Sequence, residues 1–164
     1  MKHLISQNID GLHLRSGVSR EKISELHGNT YLETCADCGK GYMRDHRTRN
    51  DENDAFTHLT GRDCDECGGA LNDSIINFGE KLPQAALESA QHHTIEADFC
   101  LSLGSSLQVK PAMLFPMRLT SKRGCGLAIV NLQPTPLDHL AKVRIWGHID
   151  EVMEELVEEM KNIE

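Results

Sequence analysis

A chain of 164 residues that is 39% hydrophobic can bury one ordinary core and gives no case for several independent domains. With 25 acidic against 17 basic residues, its net charge of −8 gives no electrostatic reason to seek nucleic acid or an anionic membrane, and weakly favours a basic partner such as a lysine-rich tail. Met1 to Asn8 holds only two consecutive apolar residues, too few for a secretory signal, and no run approaches the ~18 of a membrane span, so a soluble intracellular protein is expected.

In chain order, His3-Leu4-Ile5-Ser6 is a candidate strand running into Gln7-Asn8-Ile9-Asp10-Gly11. The amides and carboxylate there can pair with a polar ligand, and the same residue types equally serve turns and caps. His27 lies in Glu25-Leu26-His27-Gly28-Asn29. Imidazole is the side chain best suited to proton transfer near neutral pH, although a lone histidine is more often a hydrogen-bonded structural residue.

Two Cys-x-x-Cys pairs follow, Cys35 with Cys38 and Cys64 with Cys67, the second followed by Gly68-Gly69. Without a secretory signal, reduced thiols are a better reading than a disulfide framework, and two such knuckles at this spacing can wrap one tetrahedral ion. Four thiolates fill the coordination sphere, so the expected Zn2+ is structural and has no open position for water or substrate. Cys100 and Cys125 lie in or beside apolar runs and are expected as buried strand residues.

Beyond the cysteines, Pro83 to Ile95 is a predicted helix and Asp98 to Leu103 a buried strand ending in Gly104-Ser105-Ser106, where a phosphate could approach. Pro111 to Lys122 can form a helix whose regularity Pro116 limits. Gly126 to Leu132 is a second buried strand, leading to Asn131-Leu132-Gln133-Pro134, and Val143 to Trp146 a weaker third. Ile149, Val152, Met153, Leu156, Val157 and Met160 recur at helical spacing opposite a glutamate-rich face. The cysteine segment, Tyr31 to Leu71, thus interrupts a mostly parallel α/β sheet. Ligands bind such sheets beyond the carboxyl ends of the strands, which selects the loops just named and Gly147-His148-Ile149-Asp150. No G-x-G-x-x-G fingerprint is present: Gly124-Cys125-Gly126 precedes a strand and lacks the third glycine.

Taken in order, Gln7-Asn8-Ile9-Asp10-Gly11-Leu12-His13, Glu25-Leu26-His27-Gly28, the two cysteine pairs, Asn77-Phe78-Gly79-Glu80, Leu103-Gly104-Ser105-Ser106-Leu107 and Val130-Asn131-Leu132-Gln133 resemble a sirtuin. The match covers nearly the whole chain. Leu12 to Gly17 and Asn131 to Thr135 resemble the chromatin-associated class IV branch in particular. The resemblance implies a partial Rossmann-like parallel sheet across residues 1–164 with an inserted four-cysteine zinc ribbon at 31–71. It implies an NAD-dependent protein deacylase that consumes NAD+ to remove acyl groups from lysine, giving nicotinamide, free lysine and O-acyl-ADP-ribose.

By the same resemblance His27 is the general base at the ribose. Asn8 and Asp10 line the nicotinamide pocket and Gln7 makes a ribose-side contact. Gly104, Ser105 and Ser106 meet the cofactor, with Ser105 where threonine is common. Asn131 and Gln133 contact the adenosine side, and Ile149 packs near adenine. Phe78, Gly79 and Glu80 on one side and Val109 on the other form the edges between which a substrate peptide lies as an added strand. The implied partner is an acyl-lysine protein, histone tails included, and the implied location is the nucleus.

A complete sirtuin carries a glycine-rich Gly-Ala-Gly turn and an NAD-closing loop before the point that Met1 matches. The chain is therefore expected to be the C-terminal part of a catalytic domain and inactive alone. Two other readings compete: a zinc-stabilised interaction module without turnover, and a zinc-ribbon nucleic-acid binder, which the acidic balance and 4% aromatic content oppose.

Overall fold

The computed structural model describes residues 1–50, 52 and 56–162, and the chain divides into two units, Met1–Ala90 and Gln91–Glu164. In the first unit, β1 (Leu4–Ser6) pairs in parallel with β2 (Ile23–Glu25), Leu4 opposite Ile23 and Ser6 opposite Glu25. The crossover contains a short helix, α1 (Leu12–Arg15), and a 3-10 turn at Arg20–Lys22. Leu26, just past β2, is fully buried and donates its N–H to Ser6 O, so the pairing continues to the residue before His27. Sequence patterning passes over β2 because Ile-Ser-Glu is short and carries one apolar side chain, although Ser24 is buried as well.

The cysteine segment folds as a four-stranded antiparallel sheet in the order β4-β3-β6-β5: β3 (Leu32–Cys35), β4 (Gly41–Met43), β5 (Leu59–Asp63) and β6 (Ala70–Asp73). In β3 the buried positions are Glu33 and Cys35. A strand that turns a carboxylate inward needs cations beside it. Arg44 Nε donates to Glu33 Oε1 at 2.7 Å and Arg62 Nε to Oε2 at 2.8 Å, so both oxygens are satisfied. Burial works to raise the Glu33 carboxyl, but the hydrogen bonds from Arg62 and then Arg44 outweigh it and hold the group below the usual carboxylate range. The apolar core here is small, with Cys35, Cys64 and Leu71 buried and Tyr42 packed on them.

In the second unit β7 (Phe99–Leu103), β8 (Gly126–Val130) and β9 (Val143–Ile145) form a parallel sheet with β8 central. All five β8 residues are buried, as an apolar run flanked by strands on both edges requires. Leu127 and Ile129 meet Leu107 and Leu137, with Cys100, Met113, Leu140 and Ala141 against them. Each such fully buried aliphatic side chain contributes about 1.5–3 kcal/mol.

The predicted helices form, with shifted limits. α2 spans Gln84–Glu96 and α4 spans Ile149–Lys161. Asp150 and Glu151 occupy the first turn of α4 and Lys161 the last, matching the helix dipole. The third, α3, covers only Leu114–Thr120. Pro116 falls in its first turn, where an absent N–H breaks no hydrogen bond, so it starts the helix and does not interrupt it. Cys100 lies in β7 and is half-buried, not buried as expected, and Cys125 precedes β8, also half-buried, its thiol directed at Ala97 O at 3.7 Å. The strand position expected for Cys125 is therefore corrected. Among the described residues no helix is long and apolar enough to cross a membrane.

Candidate active site and metal centre

The ligand atoms of Cys35, Cys38, Cys64 and Cys67 all lie within 4.8 Å of one another. Cys35 Sγ is 3.5 Å from Cys67 Sγ, and Cys38 Sγ is 3.7 Å from Cys64 Sγ. A tetrahedron with Zn–S bonds of ~2.3 Å has edges of roughly 3.8 Å, so the four sulfurs fit one zinc ion. The two knuckles repeat each other. Gly39 N donates to Cys35 O and Gly68 N to Cys64 O, while Cys35 N meets Lys40 O and Cys64 N meets Gly69 O. Gly39 and Gly68 hold equivalent positive φ angles of 74° and 75°, which glycine adopts without strain. A side chain at Gly69 would lie 2.4 Å from Asp37 Oδ2 and 3.0 Å from Cys35 Sγ, so it would displace the Asp37 carboxylate and crowd one of the four sulfurs.

Sequence reading passes over Tyr42, whose hydroxyl is 3.1 Å from Cys64 Sγ. Donating to that sulfur, the phenol is the first cause that brings the Cys64 thiol down to about 6. Metal binds the thiolate, so a donor at this sulfur favours the binding form.

His27 follows the β2 pairing on a backbone that Gly28 makes possible. Gly28 has φ +82°, and a Cβ on it would stand 1.8 Å from Ser74 O. The His27 backbone O accepts from Ile76 N, tying the turn to the segment after β6. Its ring Nδ1 is 3.2 Å from Gln7 O. A carbonyl only accepts, so Nδ1 carries the hydrogen and the neutral ring presents the lone pair of Nε2. No hydrogen bond to His27 Nε2 is found among the described residues, and the side chain is half-buried. The contact selects the tautomer of the neutral ring and leaves Nε2 without a hydrogen bond among the described residues.

The backbone around it is held by polar residues that sequence reading did not select. Asn29 is fully buried: its Nδ2 donates to Glu25 Oε1 at 2.7 Å and its Oδ1 accepts from Tyr31 N at 2.9 Å. Ser74 Oγ donates to Asn29 O and accepts from Asn29 N. These partners are distant in sequence or polar in unremarkable loops, so no local pattern marks them.

Asn8 and Asp10 are exposed, and both engage the turn. Asn8 N donates to Ser6 Oγ, and Asp10 Oδ1 accepts from Leu12 N at 3.0 Å at the start of α1. The Asn8 side chain carries no hydrogen bond among the described residues. In the later loop, Phe78 is 94% exposed and Gly79 has φ +93°, while the Glu80 carboxylate turns inward and accepts from Asn77 N at 2.6 Å.

In the second unit, Gly104 and Ile149 meet: a Cβ on Gly104, at φ +60°, would fall 2.6 Å from Ile149 Cδ1. Gly104 N donates to Val130 O, Ser105 Oγ accepts from Leu107 N, and Ser106 is exposed. Asn131 Nδ2 donates to Gln133 O at 2.9 Å. The organiser of that loop is Arg144 on β9, which donates to the backbone oxygens of Asn131 and Gln133, pairs with Asp138 at 2.9 Å and lies 3.6 Å over the Trp146 ring. Val109 is half-buried, its O accepting from Met113 N.

Together these features define an α/β chain with a four-thiolate module and a tautomer-fixed histidine at a strand end. A Sir2 family profile matches residues 1–111. The chain is 41% identical over 162 residues to the NAD-dependent protein deacetylase SRT1 of Arabidopsis thaliana, covering 98% of this chain and 33% of that protein. Against the human NAD-dependent protein deacetylase sirtuin-7 it is 43% identical over 167 residues, covering 98% and 42%. Against NAD-dependent protein deacetylase 1 of Geobacillus kaustophilus it is 37% identical, covering 98% and 61%. Among solved structures, a Sir2 homologue–NAD complex superposes with a TM-score of 0.80 at 31% identity, covering 99% of this chain and 59% of that one. A Sir2–p53 peptide–NAD+ complex gives 0.75 at 35%, covering 98% and 64%. The chain belongs to the Sir2 family, and it spans about a third to three fifths of the length of these curated relatives.

Proposed function

We propose that this chain carries the general base, the zinc module and part of the NAD+ contacts of an NAD-dependent protein-lysine deacylase. The observation that supports this most is His27: Nδ1 held by Gln7 O leaves Nε2 to take a proton. In this reading His27 Nε2 accepts the proton of a ribose hydroxyl, which requires a neutral imidazole in place before the sugar arrives. Bound NAD+ supplies the electrophilic ribose carbon and nicotinamide as the leaving group. The unengaged Asn8 amide and the Asp10 carboxylate orient the carboxamide, and the Gln7 carbonyl keeps the base in its tautomer. Gly104 brings its backbone close, with Ser105 and Ser106 as hydroxyl donors. Asn131, Gln133 and Ile149 serve the adenosine side.

In this reading Phe78, Gly79 and Glu80 of the first unit contact the acyl-lysine peptide, and so does Val109 of the second. The complex of a relative with a p53 peptide supports a peptide substrate. A net charge of −8 suits a lysine-rich one such as a histone tail. Nuclear residence belongs to the same reading. Residues 31–71, of which 51 and 53–55 lie outside the described residues, form the inserted zinc module of the catalytic domain 1–164.

The test is nicotinamide release. A hybrid joining the preceding segment of a longer relative to Met1 should release nicotinamide from NAD+ only with an acetyl-lysine peptide present, in a one-to-one ratio with deacetylated peptide. NAD+ binding without release would instead favour the non-catalytic interaction module.

A further inference from the structure

His58 has no part in the chemistry above, yet its surroundings are unusually determined. It sits immediately before β5 with φ 57°, a left-handed backbone that non-glycine residues rarely adopt and that surrounding contacts must hold. Its backbone O accepts from Asp73 N at 2.8 Å. Its ring lies between two carboxylates: Nδ1 is 3.2 Å from Asp73 Oδ1 and Nε2 is 2.8 Å from Glu80 Oε1. Both acceptors can be served only by the imidazolium, since a neutral ring would set one nitrogen lone pair against a carboxylate oxygen.

The two carboxylates differ in role. Asp73 is buried at the end of β6, paired opposite Glu33, and its Oδ1 also accepts from Ile75 N, so it is a fixed anchor. Glu80 ends the loop that begins at Asn77, and its second oxygen accepts from Asn77 N at 2.6 Å. Asn77 Oδ1 in turn receives Arg49 at 3.4–3.5 Å. Asp73, Glu80 and Asn77, with Arg49 behind, are the polar and charged groups that face His58 among the described residues.

We propose that His58 is the positioning residue of the peptide-binding loop: as an imidazolium it clamps Glu80 to Asp73 and so holds Asn77 to Glu80 in the shape that receives the acyl-lysine chain. The peptide half of this inference rests on the function proposed above; the clamp itself rests on the geometry. The Glu80 hydrogen bond is the first of the causes that favour the charged ring, and His58 in turn holds the Glu80 carboxyl low. A group raised on folding contributes fully below its ordinary value of ~6.5 and loses that contribution as pH rises through the raised value. His58, Asp73 and Glu80 also face a cavity of about 840 Å³ through which water can replace the lost contacts. The loop therefore loosens toward alkaline pH.

Two measurements decide it. In the 164-residue chain loaded with zinc, imidazole 15N shifts should show His58 doubly protonated at pH 7, with the amides of Asn77, Phe78, Gly79 and Glu80 titrating in step with it. A neutral His58 at pH 7, or loop amides that ignore its titration, overturns the clamp whatever the enzyme does. In the hybrid enzyme, the peptide KM should rise about tenfold as His58 deprotonates, the worth of roughly one charge-assisted hydrogen bond, while kcat and the NAD+ KM stay within about twofold. His58→Gln should fix the peptide KM at its high value at every pH, and His58→Arg, always charged, should keep it low without pH dependence. Should His58→Gln fold poorly, the wild-type pH profile carries the test alone. A peptide KM unmoved by pH or by His58→Gln refutes the positioning role. A hybrid without deacylation refutes the proposed function instead, and the loop titration then decides the clamp.

Discussion

At the scale of single residues, the site depends on contacts that the residue types do not reveal. His27 is visible in the sequence because a glycine follows it, but what selects its tautomer is a carbonyl twenty positions earlier. Its neighbour Gly28 is the least replaceable residue on the backbone. Gly28→Ala places a methyl 1.8 Å from Ser74 O at φ +82°, a clash with main chain that no rotamer relieves. We expect the substitution to destabilise the chain by more than the ~1 kcal/mol of a positive φ alone, read as a lower urea midpoint at unchanged zinc content. His58 escapes sequence reading for a related reason. Its partners lie 15 and 22 positions away, so no local pattern in the sequence marks it.

At the scale of elements, apolar runs and cysteine spacing were legible, while polar strands were not. β8 is five buried residues, and α4 shows helical spacing, so both stand out in the sequence. The four sulfurs follow from two short motifs. The strands of the zinc sheet were hidden because β3 buries Glu33, inverting the usual polar-out pattern, and because their fold is set by metal and ion pairs more than by apolar area.

Two outcomes follow for this sheet. Cys64→Ser should abolish binding of about one zinc per chain, measured by metal analysis, and unfold the β3 to β6 sheet, since structural zinc supplies ~10–16 kcal/mol in small zinc domains. Glu33→Gln leaves two arginines around a neutral amide and should cost about 3–5 kcal/mol in a denaturant titration. With its pKa lowered on folding, Glu33 contributes fully above the ordinary carboxyl value of ~4.3 and loses that contribution as pH falls through the lowered one. The zinc sheet of the wild type should therefore weaken in acid more than that of Glu33→Gln.

At the scale of the whole molecule, each unit displays its share of the residues assigned to the reaction. His27, the Gln7 to Asp10 turn and the Phe78 loop are in Met1–Ala90, and Gly104, Asn131, Gln133 and Ile149 are in Gln91–Glu164. The curated relatives are longer, and no glycine-rich turn leading into a helix occurs among the described residues to take a pyrophosphate. Catalysis needs near-attack geometry, and misplacement by ~1 Å can cost about a hundredfold. A polypeptide of these 164 residues alone should therefore bind NAD+ weakly and show no measurable turnover by calorimetry and nicotinamide release. Micromolar affinity with steady turnover would contradict this.

The central claim is that His27 Nε2 is the general base, and the most direct test is His27→Ala in the hybrid that carries the preceding segment of a relative. Removing a general base without opening a core cavity should lower the NAD-dependent deacetylation rate by about 10²- to 10⁴-fold while zinc content and circular dichroism stay unchanged. Deacetylation at the wild-type rate by the His27→Ala protein would contradict the account.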